Sequence, residues 1–449
     1  MKISWAYLWL FLSALCGGVQ AMQVQKVESD GLTALLSADH TVPVVALRMV
    51  FMGGKRLVAP GDEGVGELAA MTMLEGAGGY DAEGLANKMV ELGASISMDN
   101  ERDGFSVSIT TVADAVDEAV LLAVTMLREA HFHEDDIERG KAQMIAGLKR
   151  RMVDPQSLAF TALARTAFQG LSQGRTQTET SLEGLNADKV RAFVAEQIQS
   201  QKLMISLAGA ITKADAERIV TKLAQTLPVG VPFQSDGPHL MQAEGLRLLV
   251  PQAVPQTTVV MAYPGLMRDD PDFMAAYVMN HILGGGGFSS RLTKEIREER
   301  GLAYSAASFL SPTQETATLM VYFATRNDAV LEAYDVARQV LEEVATNGVT
   351  EEELRAAKNN IIGSYPLRFD ANGKIAQHLM GIQISKLPMN YHEVRNDLVA
   401  EIQIDDIKAV AARLLLDKIP LMVAAGNPDE KTFQPDRMIS SDDLVRLNP

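Results

Sequence analysis

The sequence predicts an α+β protein of two duplicated domains, each an α/β sandwich. Three observations carry this: a long internal repeat, strand and helix periodicities that alternate within each half, and 449 residues with 47% hydrophobic content, enough for two cores. In the repeat, Asp114-Ala115-Val116-Asp117-Glu118-Ala119 matches Asp328-Ala329-Val330-Leu331-Glu332-Ala333 at an offset of 214. Farther along the offset becomes 217 and holds. It pairs Glu134-Asp135-Asp136-Ile137 with Glu351-Glu352-Glu353-Leu354, Asp188-Lys189-Val190-Arg191-Ala192 with Asp405-Asp406-Ile407-Lys408-Ala409, and the apolar Met204 to Gly209 with Leu421 to Gly426. Repeats this long are duplicated domains, since solenoid periods run about 20–50 residues.

At the N-terminus, Lys2 is followed by the apolar run Ile3 to Leu15 and a small-residue end, Val19-Gln20-Ala21. This is the pattern of a secretory signal peptide over residues 1–21, which sends the mature protein to the periplasm. Cys16 leaves a lipid-attached cysteine as an alternative, against which stands the bulk of Leu15 just before it. Cleavage after Ala21 leaves no cysteine, which excludes disulfides, cysteine-ligated zinc and thiol nucleophiles. No later stretch reaches the roughly 20 apolar residues of a membrane-spanning helix. A formal charge of −16 argues against nucleic acid and anionic membrane as partners.

In the first domain, residues 22–235, Thr33 to Phe51 is rich in Val and Leu, and Phe105, Val107 and Ile109 share one face of a half-buried strand. Ile137, Met144, Ile145, Leu148 and Met152 keep helical spacing. Pro228 to Gly245, rich in Pro, Gly and polar residues, reads as the boundary. In the second domain, residues 246–449, Arg291 to Arg300 reads as a helix ending at Gly301, and Ala303 to Leu310 as the next strand. Thr350 and Glu353 form a capping box at the start of the helix that repeats the one at Glu134.

The segment Gly64 to Ala77 (GVGELAAMTMLEGA) has the frame of a metal-binding helix without its ligands. It resembles the inverted zincin segment of the pitrilysin and mitochondrial-processing-peptidase family, in which a Gly and a small residue precede His-x-x-Glu-His. There, two histidines four apart on one helical face bind zinc, and the glutamate is the base toward metal-bound water. The resemblance puts Glu67 and Met71 at the histidine positions, Ala70 at the base, Gly147 at the third ligand and Gly140 at its acidic neighbour. One carboxylate beside Met and Ala does not supply the three ligands zinc takes from protein, so no metal is expected in this chain. Taken alone, Leu68, Ala69, Thr72 and Met73 equally well form one face of an ordinary buried helix. The repeat, the downstream Glu91-Leu92-Gly93-Ala94-Ser95 with its alternating strand, and the second-half motif below favour the family, in a non-catalytic bacterial form.

None of the seven histidines restores a site. His131 and His133 flank Phe132 in a connector, His281 has helical neighbours, and His40, His239, His378 and His392 are isolated.

The segment His281 to Ser305 contains four glycines, Gly284, Gly285, Gly286 and Gly287, and no Gly-Lys-Ser/Thr follows them as in a phosphate-binding loop. The run resembles a shortened form of the glycine-rich loop that non-catalytic processing-peptidase subunits use against extended substrate, glycine allowing close backbone approach. Arg297 and Tyr304 have plain readings as a cation in the last turn of a helix and a strand aromatic. Their Arg-x6-Tyr spacing also matches the paired Arg and Tyr of the family. Those residues come from the C-terminal half and face the substrate carbonyl near zinc, as donors toward the developing oxyanion.

The resemblance implies two domains packed as half of a clamshell, closed by a zinc-binding homologue that carries His-x-x-Glu-His. The expected function is that of a substrate-binding, non-catalytic subunit of a periplasmic heterodimeric zinc metalloendopeptidase acting on peptides. Arg297 and Tyr304 would act in trans, with zinc in the partner, and the peptide would add to an exposed strand edge such as Val44 to Phe51. A peptide-binding or assembly scaffold with no part in catalysis is the alternative. A third reading, an independent zinc peptidase, requires stoichiometric zinc in this chain.

Overall fold

The computed structural model describes residues 22–446; the signal-peptide reading of residues 1–21, Cys16 included, lies outside the described residues. In the first half, the elements that position the sites begin with β1 (Gln25–Ser29), β2 (Leu32–Ala38), β3 (Val44–Met52) and α1 (Val65–Thr72). A two-residue ladder, β4 (Gly76–Ala77) with β5 (Tyr80–Asp81), leads to β6 (Ser95–Asn100) and β7 (Gly104–Val112). The helices α2 (Val116–Glu129), α3 (Glu134–Arg151), α4 (Pro155–Ala167) and α5 (Ala187–Gln197) precede β8 (Leu203–Gly209).

The second half repeats the plan with β9 (Arg247–Pro251), β10 (Gln256–Pro264), α6 (Phe273–Asn280), β11 (Ala303–Pro312) and β12 (Ala317–Arg326). Next come α7 (Val330–Asn347), α8 (Glu351–Gly363), α9 (Asn372–Ile384), α10 (Tyr391–Glu401), α11 (Ile404–Leu415), β13 (Leu421–Gly426) and the short β14 (Arg437–Met438).

Each half is a mixed α/β layer structure on a six-stranded sheet, ordered β1-β2-β8-β3-β7-β6 in the first and β14-β9-β13-β10-β12-β11 in the second. β8 runs parallel to β2 and antiparallel to β3, and β13 stands in the same relation to β9 and β10. The two strands are almost wholly buried apolar runs, as strands covered on both faces are. The change in repeat offset has a physical site. α7 has 18 residues against 14 in α2, one added helical turn, while the connector after it is one residue shorter.

One expectation is corrected. Val44 to Phe51 is not a strand edge, because β3 is paired with β7 on one side and β8 on the other. Its run of Val, Leu, Met and Phe reflects that central position. The outer edges beside the sites belong to β6 and β11.

The halves exchange helices. α4 places Leu158, Ala159, Ala162 and Leu163 in one cluster with Val260 and Ala262 of β10 and Leu421, Val423 and Ala425 of β13. Asp154 caps its start with Pro155 in the first turn, and the alanines, one turn apart in rise, let it lie close to the sheet. α9, its counterpart at the offset of 217, lies across the first sheet. Ala376 meets Ala46 and Ala208, and Met380 meets Val50 and Met52. Three polar contacts fix its register: Asn372 Nδ2 donates to Val44 O at 2.9 Å, Ser206 Oγ to Ala376 O at 2.8 Å, and Gln383 Nε2 to Ile205 O at 2.8 Å.

A buried carboxylate fastens the exchange. Glu315, in the turn between β11 and β12, is 1% exposed. It pairs with Arg56 of the first half and accepts hydrogen bonds from Gln173 Nε2 at 3.0 Å, Ser235 Oγ at 2.7 Å and Asp236 N at 3.0 Å. Both oxygens are satisfied, by the first half and the segment joining the two. Glu315→Ala leaves Arg56 with Asp236 at 2.7 Å but deprives Gln173 and Ser235 of their acceptor; it is expected to lower the unfolding free energy by about 1–3 kcal/mol, measured by urea denaturation of the whole chain.

A second ion pair anchors the segment before β11. Arg291 Nε donates to Glu353 Oε1 at 2.6 Å and Nη2 to Glu353 Oε2 at 2.8 Å, while Glu353 also closes the capping box with Thr350 at the start of α8. Burial alone would raise this carboxyl, but the hydrogen bonds from Arg291 and Thr350 outweigh it and hold the pKa at about 2. A carboxyl depressed in the folded chain adds stability above its unfolded pKa, near 4.5, and loses it as pH falls toward 2. The stability gap between parent and Glu353→Gln should therefore be widest at neutral pH and close between about pH 4.5 and 2, as read from denaturation curves across that range.

Candidate functional site

In the first half, α1 starts at Gly64, whose φ of 108° suits glycine and where a Cβ would lie 2.4 Å from Leu182 Cδ2. Leu68, Ala69, Ala70, Thr72 and Met73 are buried. Glu67 is half-buried: Lys55 Nζ lies 3.2 Å from Oε1, and Asn100 Nδ2 donates to Oε2 at 3.3 Å. α3 crosses at Gly140, where a Cβ would sit 2.7 Å from Leu68 Cδ1, so the helices approach closely there and a carboxylate side chain would not fit. Gly147 is half-exposed on α3, next to Leu148. A cavity of about 400 Å³ opens beside these residues, lined by Lys55, Glu63, Glu67, Arg151 and Arg175 among others.

These residues do not fit zinc. Glu67 is engaged by a cation, Met71, Ala70 and Gly147 offer no hard ligand, and the nearby Glu63 faces Arg175 at 3.8 Å. Among the described residues, no three His, Cys, Asp or Glu side chains gather into a metal-holding group. His131 and His133 lie with ring centroids 5.1 Å apart and planes tilted by 54°, but His131 Nε2 bonds Gly78 O at 2.9 Å.

The second-half motif forms a different site. After α6 the chain makes two wide π-type turns, His281–Gly285 and Thr293–Glu298. Their i to i+5 bonds include Gly286 N to His281 O and Glu299 N to Lys294 O. Thr293 Oγ1 donates to Ala306 O at 3.0 Å, tying the second turn to β11, and Gly301, at φ +60°, ends it. Arg297 and Tyr304 come together: the guanidinium carbon lies 5.0 Å from the Tyr304 ring centroid and 4.8 Å from that of Phe288. Tyr304 is 81% exposed and Phe288 71%. Two outward rings thus hold one cation between them. The pair does not line the cavity beside Glu67.

Phe288 was not singled out in the sequence, although it directly follows the glycines. The glycines divide by role. Gly284 is buried, and a Cβ there would lie 2.2 Å from Ser308 N, so its identity follows from packing on β11. Gly285 and Gly287 are exposed, and Gly287 has a φ of +64° with open space around it.

Residues 184–361 match the family described as the peptidase M16 inactive domain. The matched segment contains Arg297 and Tyr304 but not Glu67, Ala70, Met71 or Gly147. A non-peptidase homolog, YmxG, of Helicobacter pylori is 22% identical over 395 residues, covering 87% of this chain and 91% of that one. An uncharacterized zinc protease of Streptomyces coelicolor is 28% identical over 327 residues, 70% of each chain. The crystal structure of a peptidase M16 inactive domain from Pseudomonas fluorescens is similar at a TM-score of 0.84 and 27% identity, covering 91% of this chain and 98% of that one. The periplasmic protease PqqL of Escherichia coli shares the fold at a TM-score of 0.77 and 14% identity, over 91% of this chain and 46% of that one. With a helix that keeps the zincin frame and lacks its ligands, the chain contains a match to the peptidase M16 inactive domain over residues 184–361 and is similar along most of its length to proteins of that peptidase family.

Proposed function

We propose that the chain is the substrate-binding, non-catalytic subunit of a periplasmic heterodimeric zinc metalloendopeptidase acting on peptides. The observation that carries the reading is the contrast between its two motifs. The metal positions hold Glu67, Ala70, Met71 and Gly147, whereas Arg297 and Tyr304 stay outward-facing, and Arg297 makes no ion pair among the described residues. A polar pair with no ion pair or side-chain hydrogen bond among the described residues is suited to bond something outside it. The partner in this reading is a homologue with His-x-x-Glu-His that holds the zinc.

Within that assembly this chain supplies two donors and a surface. Phe288 and Tyr304 cover the faces of the Arg297 guanidinium, leaving its N–H edge for a peptide carbonyl oxygen. Tyr304 lies on β11, an edge strand, so a peptide extended along that edge runs past the tyrosine hydroxyl. The edge of β6 offers the same in the first half, next to Glu67 through Asn100. Exposed Gly285 and Gly287 allow close backbone approach beside Arg297. The fold is matched within less than half of the Escherichia coli protein, whose length therefore accommodates two such units in one chain. The periplasmic location of that protein agrees with the signal-peptide reading of residues 1–21.

The test is hydrolysis of a quenched peptide by the mixed pair, with dimer formation checked by sedimentation. Arg297→Ala is expected to lower the rate by about 10²-fold, and Tyr304→Phe by less, with the dimer intact. Unchanged hydrolysis in both variants would remove the donor role and leave a scaffold that binds peptide or partner without entering the chemistry.

A further inference from the structure

The second half contains a larger cavity, of about 820 Å³, that no part of this mechanism uses. It lies in the second half where the Glu67 cavity lies in the first: Leu148, Arg151 and Thr161 line one, and Tyr365, Arg368 and His378, each 217 positions later, line the other. Its chemistry is opposite to the overall charge of the protein. Arg268, Arg368, Arg395 and Lys374 line it, and no Asp or Glu does.

Lys374 is answered by Asp370 at 2.8 Å, but none of the three arginines makes an ion pair among the described residues. Aromatic rings take the guanidinium faces instead. Arg268 lies 4.3 Å from the Phe273 centroid and 5.1 Å from that of Tyr391; Arg395 lies 4.4 Å from Tyr365 and 5.4 Å from Tyr277. Arg268 donates to Tyr391 Oη at 2.5 Å, and Arg395 and Arg368 both donate to Tyr277 Oη, at 3.3 and 3.4 Å. Arg395 is 4% exposed. A buried cation without a counter-charge is costly, and Arg395, with the half-buried Arg268 and the exposed Arg368 around the same space, favours an anion there. The same field is felt at His378, which burial pushes down to about 4, with the charges of His392, Arg368, Arg395 and Arg268 adding to the shift.

Two further features narrow the anion. Asn280, nine-tenths buried on the cavity wall, has a side-chain oxygen with no hydrogen-bond partner, which calls for an N–H donor. Phe309, Leu310 and Pro312 make one wall apolar, and they are the end of the edge strand β11. A carboxylate, an adjacent amide N–H and an apolar side chain are together the terminal residue of a peptide.

We infer that this cavity binds the C-terminal residue of a peptide: the carboxylate to Arg268, Arg368 and Arg395, the amide N–H to Asn280, the side chain against Phe309 and Leu310. The site needs no zinc-bearing partner, so it stands or falls separately from the heterodimer. The experiment is fluorescence anisotropy on the isolated chain with a labelled pentapeptide ending in phenylalanine, as free acid and as C-terminal amide. The acid is expected to bind at least about 10-fold more tightly. Excess N-acetylphenylalanine should displace it and N-acetylphenylalanine amide should not. Arg368→Gln, at an exposed position that folding tolerates, and Arg268→Gln should each weaken the acid by about 10-fold and leave the amide unchanged. Equal binding of acid and amide, or no effect of either substitution, would overturn the assignment. So would saturable binding of inorganic phosphate with no binding of the acid peptide, which would make the occupant a free small anion.

Discussion

The exchange of α4 and α9 between the halves is the constraint on which the rest of this structure depends. Each sheet has one face covered by its own helices and the other by a helix belonging to the opposite repeat. This is why β8 and β13 are apolar on both faces. It is also why the cavities lie where they do: each is walled partly by the exchanged helix, through Thr161 in the first half and His378 in the second. Glu315, from the second half, reinforces the arrangement with a charge that is buried and fully bonded by the first half and the joining segment.

On this common frame the two halves have diverged in chemistry. Position 151 and its repeat at 368 are both arginine, yet Arg151 shares its cavity with Glu63 and Glu67, whereas no Asp or Glu lines the cavity of Arg368. In the first half Gly140 brings α3 onto Leu68, and Glu67 is held by Lys55 and Asn100. In the second, Arg291 and Glu353 tie the turn that carries Arg297 to the start of α8, so the outward aromatic-cation group is mounted on a pinned segment.

Much of this was legible in the sequence because it is written in local periodicity or fixed spacing. The offset of 217 marked the matching helices, Thr350 and Glu353 marked a helix start that forms as a capping box, and Arg297 and Tyr304 stood out through a resemblance to the paired Arg and Tyr of a known family. What was missed depends on topology. Val44 to Phe51 has the composition of a strand, but whether a strand is central or at an edge is decided by β7 and β8, which come from more than 50 and 150 residues away. Gly284 looked like part of a substrate loop, and only the distance to Ser308 gives its packing role. Arg268, Arg368 and Arg395 left no signal, being scattered over three segments that only the fold gathers.

The exchange also bears on how such a chain is put together. Two equivalent units that each lend a helix to the other have the geometry of a domain-swapped dimer, here joined through the extended stretch at residues 228–246. In each unit one face of the sheet is covered by the other unit's helix, so a nick in that joining stretch would yield two fragments that remain associated, and a gene cut at the same place would encode two polypeptides that bury those faces only by meeting.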